Sequence, residues 1–246
     1  MQKQIIFSER FCKDYSGDPA SEPGRMEAII AEMEDFELLS PDPASEEDIL
    51  LVHTPVHLQR VKRNPKVFPV ALLSVGGAIK AADSALASRP MFAVIRPPGH
   101  HASPEGYWGF CYFNNVAIAI RKMLATNKID HGVVIDFDYH FGDGTDNTFN
   151  QSSQVQYYWV RGHTREEFIG NIGAFLTELS DFDLLGVSAG FDRHIDDWGG
   201  LLTTDDYYKM GKKLKEHAKY RFAVLEGGYN HDVLGKNVRS FIEGFY

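Results

Sequence analysis

The sequence predicts one α/β domain over residues 1–246, a three-layer α/β/α arrangement with a mainly parallel sheet. Three observations carry that reading. Short β-branched or aromatic runs alternate with longer amphipathic ones along most of the chain, the pattern of strands joined by right-handed helical crossovers. Several of the short runs are continuously apolar, as expected of strands covered on both faces. No Gly/Ser-rich linker, repeat or low-complexity tract divides the chain, and a domain of this size buries about 70 to 75% of its unfolded surface.

Taken in order, Ile5–Ser8 reads as the first strand and Arg25–Glu37 as the first helix. Pro41-Asp42-Pro43 makes a turn, followed by a helix over Ser45–Arg63 whose start has Ser45 three residues before Asp48, a capping-box spacing. Arg63-Asn64-Pro65 breaks that helix, and Leu72–Ala87 forms the next one. Phe92–Arg96, Gly132–His140, Val155–Val160, Leu184–Ser188 and Arg221–Leu225 read as strands. Between and after them come helices at Asn114–Ala125, Arg165–Leu179, Thr203–Lys219 and Asp232–Glu243, with Thr164 capping the second of these.

Composition excludes several classes of function. The chain holds 25 Lys plus Arg against 34 Asp plus Glu, a net charge of −9, which argues against direct nucleic-acid binding by phosphate neutralisation. The acidity mildly favours a cationic ligand. Two cysteines, Cys12 and Cys111, build neither a disulfide framework nor a thiolate zinc site, so a reducing, cytoplasmic location is expected. The segment Met1–Phe11 is too short and too charged for a signal peptide, and no window approaches 18 apolar residues, so no membrane partner is expected.

In an open parallel sheet ligands bind beyond the carboxyl ends of the strands, and four of those ends concentrate polar groups. They read Arg96-Pro97-Pro98-Gly99-His100-His101, Asp136-Phe137-Asp138-Tyr139-His140-Phe141-Gly142-Asp143-Gly144, Ser188-Ala189-Gly190-Phe191-Asp192 and Glu226-Gly227-Gly228-Tyr229-Asn230. Strand alternation would put Asp136, Asp138 and His140 on one face, a costly arrangement unless a cation or a set of partners compensates it. Asp138, His140 and Asp192 suit a zinc ion with one position left for water; the competing reading is a hydrogen-bonded polar turn. His100 and His101 suit an acid/base pair oriented by Asp136 and Asp143, and Tyr229 suits an oxyanion donor.

These residues carry a resemblance. Arg96-Pro97-Pro98-Gly99-His100-His101-Ala102, Gly109-Phe110-Cys111-Tyr112-Phe113-Asn114-Asn115, Asp136-x-Asp138-x-His140-x-Gly142-Asp143-Gly144, Ser188-Ala189-Gly190-Phe191-Asp192 and Glu226-Gly227-Gly228-Tyr229 resemble, in order, the motifs of the histone deacetylase family. The likeness is closer to its class II and bacterial acetylpolyamine amidohydrolase-like branch. It implies the arginase-deacetylase fold and zinc-dependent hydrolysis of an acylated amine. Carried over residue by residue, Asp138, His140 and Asp192 match the zinc ligands, and His100 and His101 the tandem acid/base pair. Asp136 and Asp143 match the carboxylates that orient them, and Tyr229 the hydroxyl that polarises the carbonyl. Gly109, Phe110, Phe141, Gly227 and Gly228 are expected to border the substrate, and Arg25 an inner acetate channel.

The chain also departs from the pattern. Gly162–Asp181 and Arg63–Phe68 are abbreviated, so the acyl tunnel is expected to be shallower or more open. Phe141 stands where many relatives have His, and Trp159-Val160-Arg161 replaces the Ser-x-His that helps hold a structural potassium ion, which leaves that ion an open cofactor. Two rival readings share the fold: a two-manganese ureohydrolase, which Arg193 and His194 after Asp192 disfavour, and a catalytically silent acyl-amide binding scaffold. His53, His57, His163, His194, His217 and His231 read as surface or capping residues. Acetyl-lysine peptides, acetylpolyamines and small acyl amides all fit as substrate, and the sequence is silent on oligomeric state.

Overall fold

The computed structural model describes residues 3–179 and 181–246; Met1 and Gln2, at the head of the segment weighed as a signal peptide, lie outside the described residues, as does Ser180. The strands are β1 (Gln4–Ile6), β2 (Glu37–Leu39), β3 (Met91–Ala93), β4 (Gly132–Asp136), β5 (Val155–Trp159), β6 (Leu184–Ala189) and β7 (Arg221–Leu225). All pair in parallel, in the order β2-β1-β3-β7-β6-β4-β5. The helices are α1 (Arg25–Ala31), α2 (Glu46–Ile49), α3 (Pro55–Lys62), α4 (Val67–Leu86), α5 (Asn115–Ala125), α6 (Asp143–Phe149), α7 (Arg165–Glu178), α8 (Thr204–His217) and α9 (His231–Phe245).

Register sorts the helices into two layers. Phe92 of β3 pairs with Ala223 of β7, so Phe92 and Phe222 point to opposite faces of the sheet. Phe92 packs on Phe241 of α9, its ring centroid 5.8 Å away, whereas a side chain at Gly186 would meet both Phe222 and Val116 of α5. Helices α4 and α5 therefore cover one face, and α9, which packs with α1 and α8, covers the other. Asn114, Thr164 and Asn230 cap α5, α7 and α9 by accepting backbone N–H groups of the first turn. Strands β3 and β4 are consecutive in the chain yet separated in the sheet by β7 and β6, which opens a crevice at the carboxyl ends of these four strands.

Several boundaries differ from the sequence expectation, each for a local reason. The strand expected over Gly132–His140 stops at Asp136, because the Asp136 carboxylate accepts the Asp138 N–H at 3.0 Å and turns the chain out of the ladder. The helix expected over Ser45–Arg63 divides into α2 and α3, since Thr54 caps a new helix with Pro55 in its first turn. Strand β2 and helix α6 are additions, and α1 ends at Ala31 to leave room for β2. Helix α4 starts earlier than expected, at Val67, and contrary to expectation it is long and apolar enough to cross a membrane, with a mean hydropathy of 1.3; 67% of that window is buried against the rest of the protein.

Helices α8 and α9 meet backbone to backbone. A Cβ at Gly244 would lie 2.1 Å from the Tyr208 carbonyl, and one at Gly211 would lie 2.4 Å from the Phe241 carbonyl. Gly244→Ala is expected to push the two helices apart and to destabilise the fold by about 1–3 kcal/mol, read as a lower urea midpoint. An unchanged midpoint would contradict this packing.

Candidate active site

Backbone N–H groups hold the buried carboxylates of the crevice in place. Asp138 Oδ1 accepts the His140 N–H at 2.9 Å, and Asp138 Oδ2 accepts the Gly227 N–H at 2.8 Å from the end of β7. Asp192 Oδ1 accepts the Tyr139 N–H at 3.0 Å, whereas Asp192 Oδ2 is buried without a hydrogen-bond partner. Gly227 can be nothing larger, because a Cβ there would lie 2.6 Å from Asp138 Oδ2 and 2.7 Å from Asp192 Oδ2.

Asp138, His140 and Asp192 thus come together although all three lie beyond the last residues of their strands, Asp136 of β4 and Ala189 of β6. His140 Nδ1 lies 3.3 Å from Asp138 Oδ1 and 3.2 Å from Asp192 Oδ2. These contacts raise the His140 pKa to about 9, while burial followed by the Asp138 charge raises Asp192 to about 7. A buried oxygen with no partner, beside a second carboxylate and an imidazole, is an oxygen–nitrogen donor set that fits one zinc ion.

A second cluster, His100, Cys111 and Glu226, is also close enough to hold a metal, but its donors are already engaged. Glu226 accepts the N–H groups of Gly99 and His100 at 2.6 and 3.2 Å and the Ser188 hydroxyl at 3.3 Å. Cys111 directs its thiol at the Gly109 carbonyl, and burial pushes that thiol well above its ordinary pKa, away from the thiolate a metal needs. Glu226 serves instead to fasten the turn that carries the tandem histidines.

The two histidines are set apart by their surroundings. His100 Nδ1 donates to Asp136 Oδ2 at 3.1 Å, and His101 Nδ1 donates to Asp143 Oδ1 at 2.7 Å, which leaves each Nε2 free. Burial disfavours charge on His100, but the buried carboxylates of Asp138 and Asp136 outweigh it and hold the imidazole well above its usual pKa. Burial, then the charge of His100, lowers His101 to about 4, so that ring is neutral at pH 7. Tyr157 donates its hydroxyl to Asp136 at 3.0 Å and accepts the Gly142 N–H at 3.1 Å.

The remaining groups border a cavity of about 100 Å³. Tyr229 lines it, its phenol held protonated first by burial and then by the Asp138 and Asp192 charges. Gly109 (φ +56°) and Phe110 (φ +67°) form another wall; a Cβ at Gly109 would strike the His101 ring at 2.3 Å, so only glycine fits both the turn and the contact. Phe141 lies outside the walls, packed on Trp159 and Tyr157. Gly228 (φ +117°) sits behind them against Phe191 and Leu234. Arg25, fully buried, donates to the carbonyls of Gly228 and Glu226 behind Tyr229.

Sequence reasoning gave no site role to Trp108, Tyr157, Asp197, Trp198 or Glu226. Trp108 donates Nε1 to Asp143 Oδ2 at 2.8 Å and stacks on His101, with centroids 4.0 Å apart. Trp198 stacks on Tyr229, also at 4.0 Å, and Asp197 accepts the Tyr229 and Asn230 N–H groups. The only available signal was Trp108 directly before Gly109. Three histidines expected as surface or capping residues are buried: His53 bridges the Ser103 carbonyl and the Asn114 N–H, His57 reaches the Tyr112 carbonyl, and His194 accepts the Asp196 N–H. The structure gives no support to a structural potassium ion: Trp159, which opens the segment standing in place of Ser-x-His, is a donor, turning its Nε1 to the Asp138 carbonyl.

Comparison with known proteins agrees with this architecture. The family model for the histone deacetylase domain matches residues 19–169 and 159–245. A probable deacetylase of Methanothermobacter thermautotrophicus is 30% identical over 90% of this chain and 84% of its own, and one of Archaeoglobus fulgidus is 31% identical over 92% and 81%. The crystal structure of the HDA15 HD domain superposes with a TM-score of 0.87 at 22% identity, covering 99% of this chain and 90% of that one, a likeness of fold.

The low basicity of His101 is testable by NMR titration of its ring. The Asp143 carboxylate favours the imidazolium and so raises the His101 pKa; Asp143→Asn is expected to move it further below its value of about 4. A pKa that stays put or rises in the variant would contradict the pairing.

Proposed function

The chain belongs to the histone deacetylase family, and from that premise we propose that it is a zinc-dependent amidohydrolase that removes an acetyl or other short acyl group from an amine. The observation that carries the proposal is the unpartnered Asp192 Oδ2 in a donor set with Asp138 and His140, beside a neutral imidazole and a protonated phenol that line one small cavity. Asp138, His140 and Asp192 would hold the metal, which when bound lowers the pKa of water towards neutrality and polarises the substrate carbonyl.

The chain's own groups supply the proton chemistry. His101, neutral and fixed by Asp143 and Trp108, accepts a proton from the attacking water at Nε2 and returns it to the leaving amine. His100, held by Asp136, stabilises the negative charge that develops beside it. Tyr229 donates to the carbonyl oxygen, and Trp198 and Asp197 hold its ring and backbone in place. Arg25 Nη1, Arg96 Nε and Nη2, and the Tyr15 hydroxyl are buried without partners, which suits an inner passage for the released carboxylate.

Exposed Trp108 and Trp198 at the mouth, with the net charge of −9, suit a leaving amine that carries positive charge, as acetyl-lysine peptides and acetylpolyamines do. A reducing, cytoplasmic setting is part of the proposal. A two-manganese ureohydrolase is disfavoured by the residues after Asp192, where the Arg193 and His194 side chains turn to backbone partners. A silent scaffold leaves the paired histidines, their two orienting carboxylates and Tyr229 at one cavity without a purpose.

The test is acid released from a panel of acetyl-lysine peptides, acetylpolyamines and small acyl amides, with zinc and after chelation. Release that chelation abolishes is expected for at least one group, and zinc-loaded protein that releases nothing would contradict the reading. Tyr229→Phe is expected to lower turnover roughly 100 to 1000-fold with little change in zinc content. Near-normal turnover would remove Tyr229 from the mechanism.

A further inference from the structure

Arg193 is a buried guanidinium for which no carboxylate lies within ion-pair distance among the described residues, and its side chain is aimed at the loop that carries two of the proposed zinc ligands. Its Nε donates to the Asp138 carbonyl at 3.2 Å and its Nη2 to the Tyr139 carbonyl at 3.3 Å. Three aromatic rings surround the charge, with centroids 4.7 Å away for Phe168, 5.5 Å for Tyr139 and 5.6 Å for Trp159. The backbone of Arg193 is fixed in turn, because its carbonyl accepts the N–H groups of Leu201 and Leu202 at 3.0 and 2.8 Å.

Two carbonyl oxygens and three π faces make a cage for a weakly hydrated cation, and here the occupant is tethered to the chain. Its position accounts for the choice of residue. The charges of Asp192, Asp138 and Asp136, three buried carboxylates, reach Arg193 and favour its charged form, so the guanidinium in turn offsets part of their mutual repulsion. Arg193 also follows Asp192 directly, so one residue pins the Asp138–His140 turn to the strand end that supplies the third ligand. A lysine could place a charge there but not two parallel donors.

We propose that Arg193 is a positioning residue, a built-in cation that holds the Asp138–His140 turn in its metal-binding geometry and makes the ligand set independent of any dissolved monovalent cation. The proposal rests on the zinc reading above. The experiment measures zinc affinity by competition with a chelating dye, in buffers whose cation is tetramethylammonium, sodium, potassium or guanidinium, with urea as the uncharged control. Wild-type affinity is expected to be the same in tetramethylammonium, sodium and potassium. Arg193→Met, which keeps bulk but not charge, is expected to lose roughly 10 to 100-fold in affinity. Arg193→Ala is expected to recover at least part of that loss in millimolar guanidinium and none in urea.

Wild-type affinity in Arg193→Met, wild-type affinity that depends on potassium, or equal recovery of Arg193→Ala in urea would each overturn the proposal. If either variant fails to fold, the wild-type cation series and Arg193→Lys, expected to fall between wild type and Arg193→Met, still decide it. A wild-type protein that binds no zinc would instead overturn the zinc reading.

Discussion

Four carboxylates, Asp136, Asp138, Asp192 and Glu226, are buried together at the carboxyl ends of three adjacent strands, and the rest of the site follows from how their charge is compensated. Ionised carboxylates removed from water are costly unless they are paired or fully hydrogen-bonded. The crevice where consecutive strands part company gives them a common place, and β4, β6 and β7 deliver them to it side by side.

Compensation comes in distinct forms. Backbone N–H groups of Gly99, His100, Asp138, Tyr139, His140 and Gly227 take most of the carboxylate oxygens, which requires glycine at 227 for close approach. His100 and Tyr157 serve Asp136, and Arg193 contributes positive charge from behind. What these groups leave over is Asp192 Oδ2, together with an imidazole whose basicity is raised by two acids it only half satisfies. A divalent cation completes that arrangement. The same field separates the histidines: His100 faces the buried acids directly and takes the charge, and burial together with that charge keeps His101 neutral against the pull of Asp143.

Much of this was legible in the sequence, because buried strands are continuously apolar and an acid or imidazole directly after such a run has few structural excuses. Asp138, His140 and Asp192 stood out for that reason. Strand alternation was nevertheless the wrong account of the first two, since the chain leaves β4 at Asp136 and a turn built on that side chain brings them together. Strand β2 escaped notice because it is three residues long and largely exposed, and α6 because Asp143–Phe149 is polar along most of its length. Glu226, Trp108 and Tyr157 could not be read at all: their roles consist of contacts across the fold, such as Glu226 with Gly99, that no local spacing encodes.

The account stands or falls on which donors hold the metal. X-ray absorption of metal-free protein loaded with one equivalent of zinc measures this directly. The donor set of Asp138, His140 and Asp192 predicts oxygen and nitrogen neighbours at about 2.0–2.2 Å with the scattering pattern of one imidazole and no sulfur. A zinc–sulfur distance of about 2.3 Å would place the ion at His100, Cys111 and Glu226 instead and contradict the account, as would a failure to bind one equivalent.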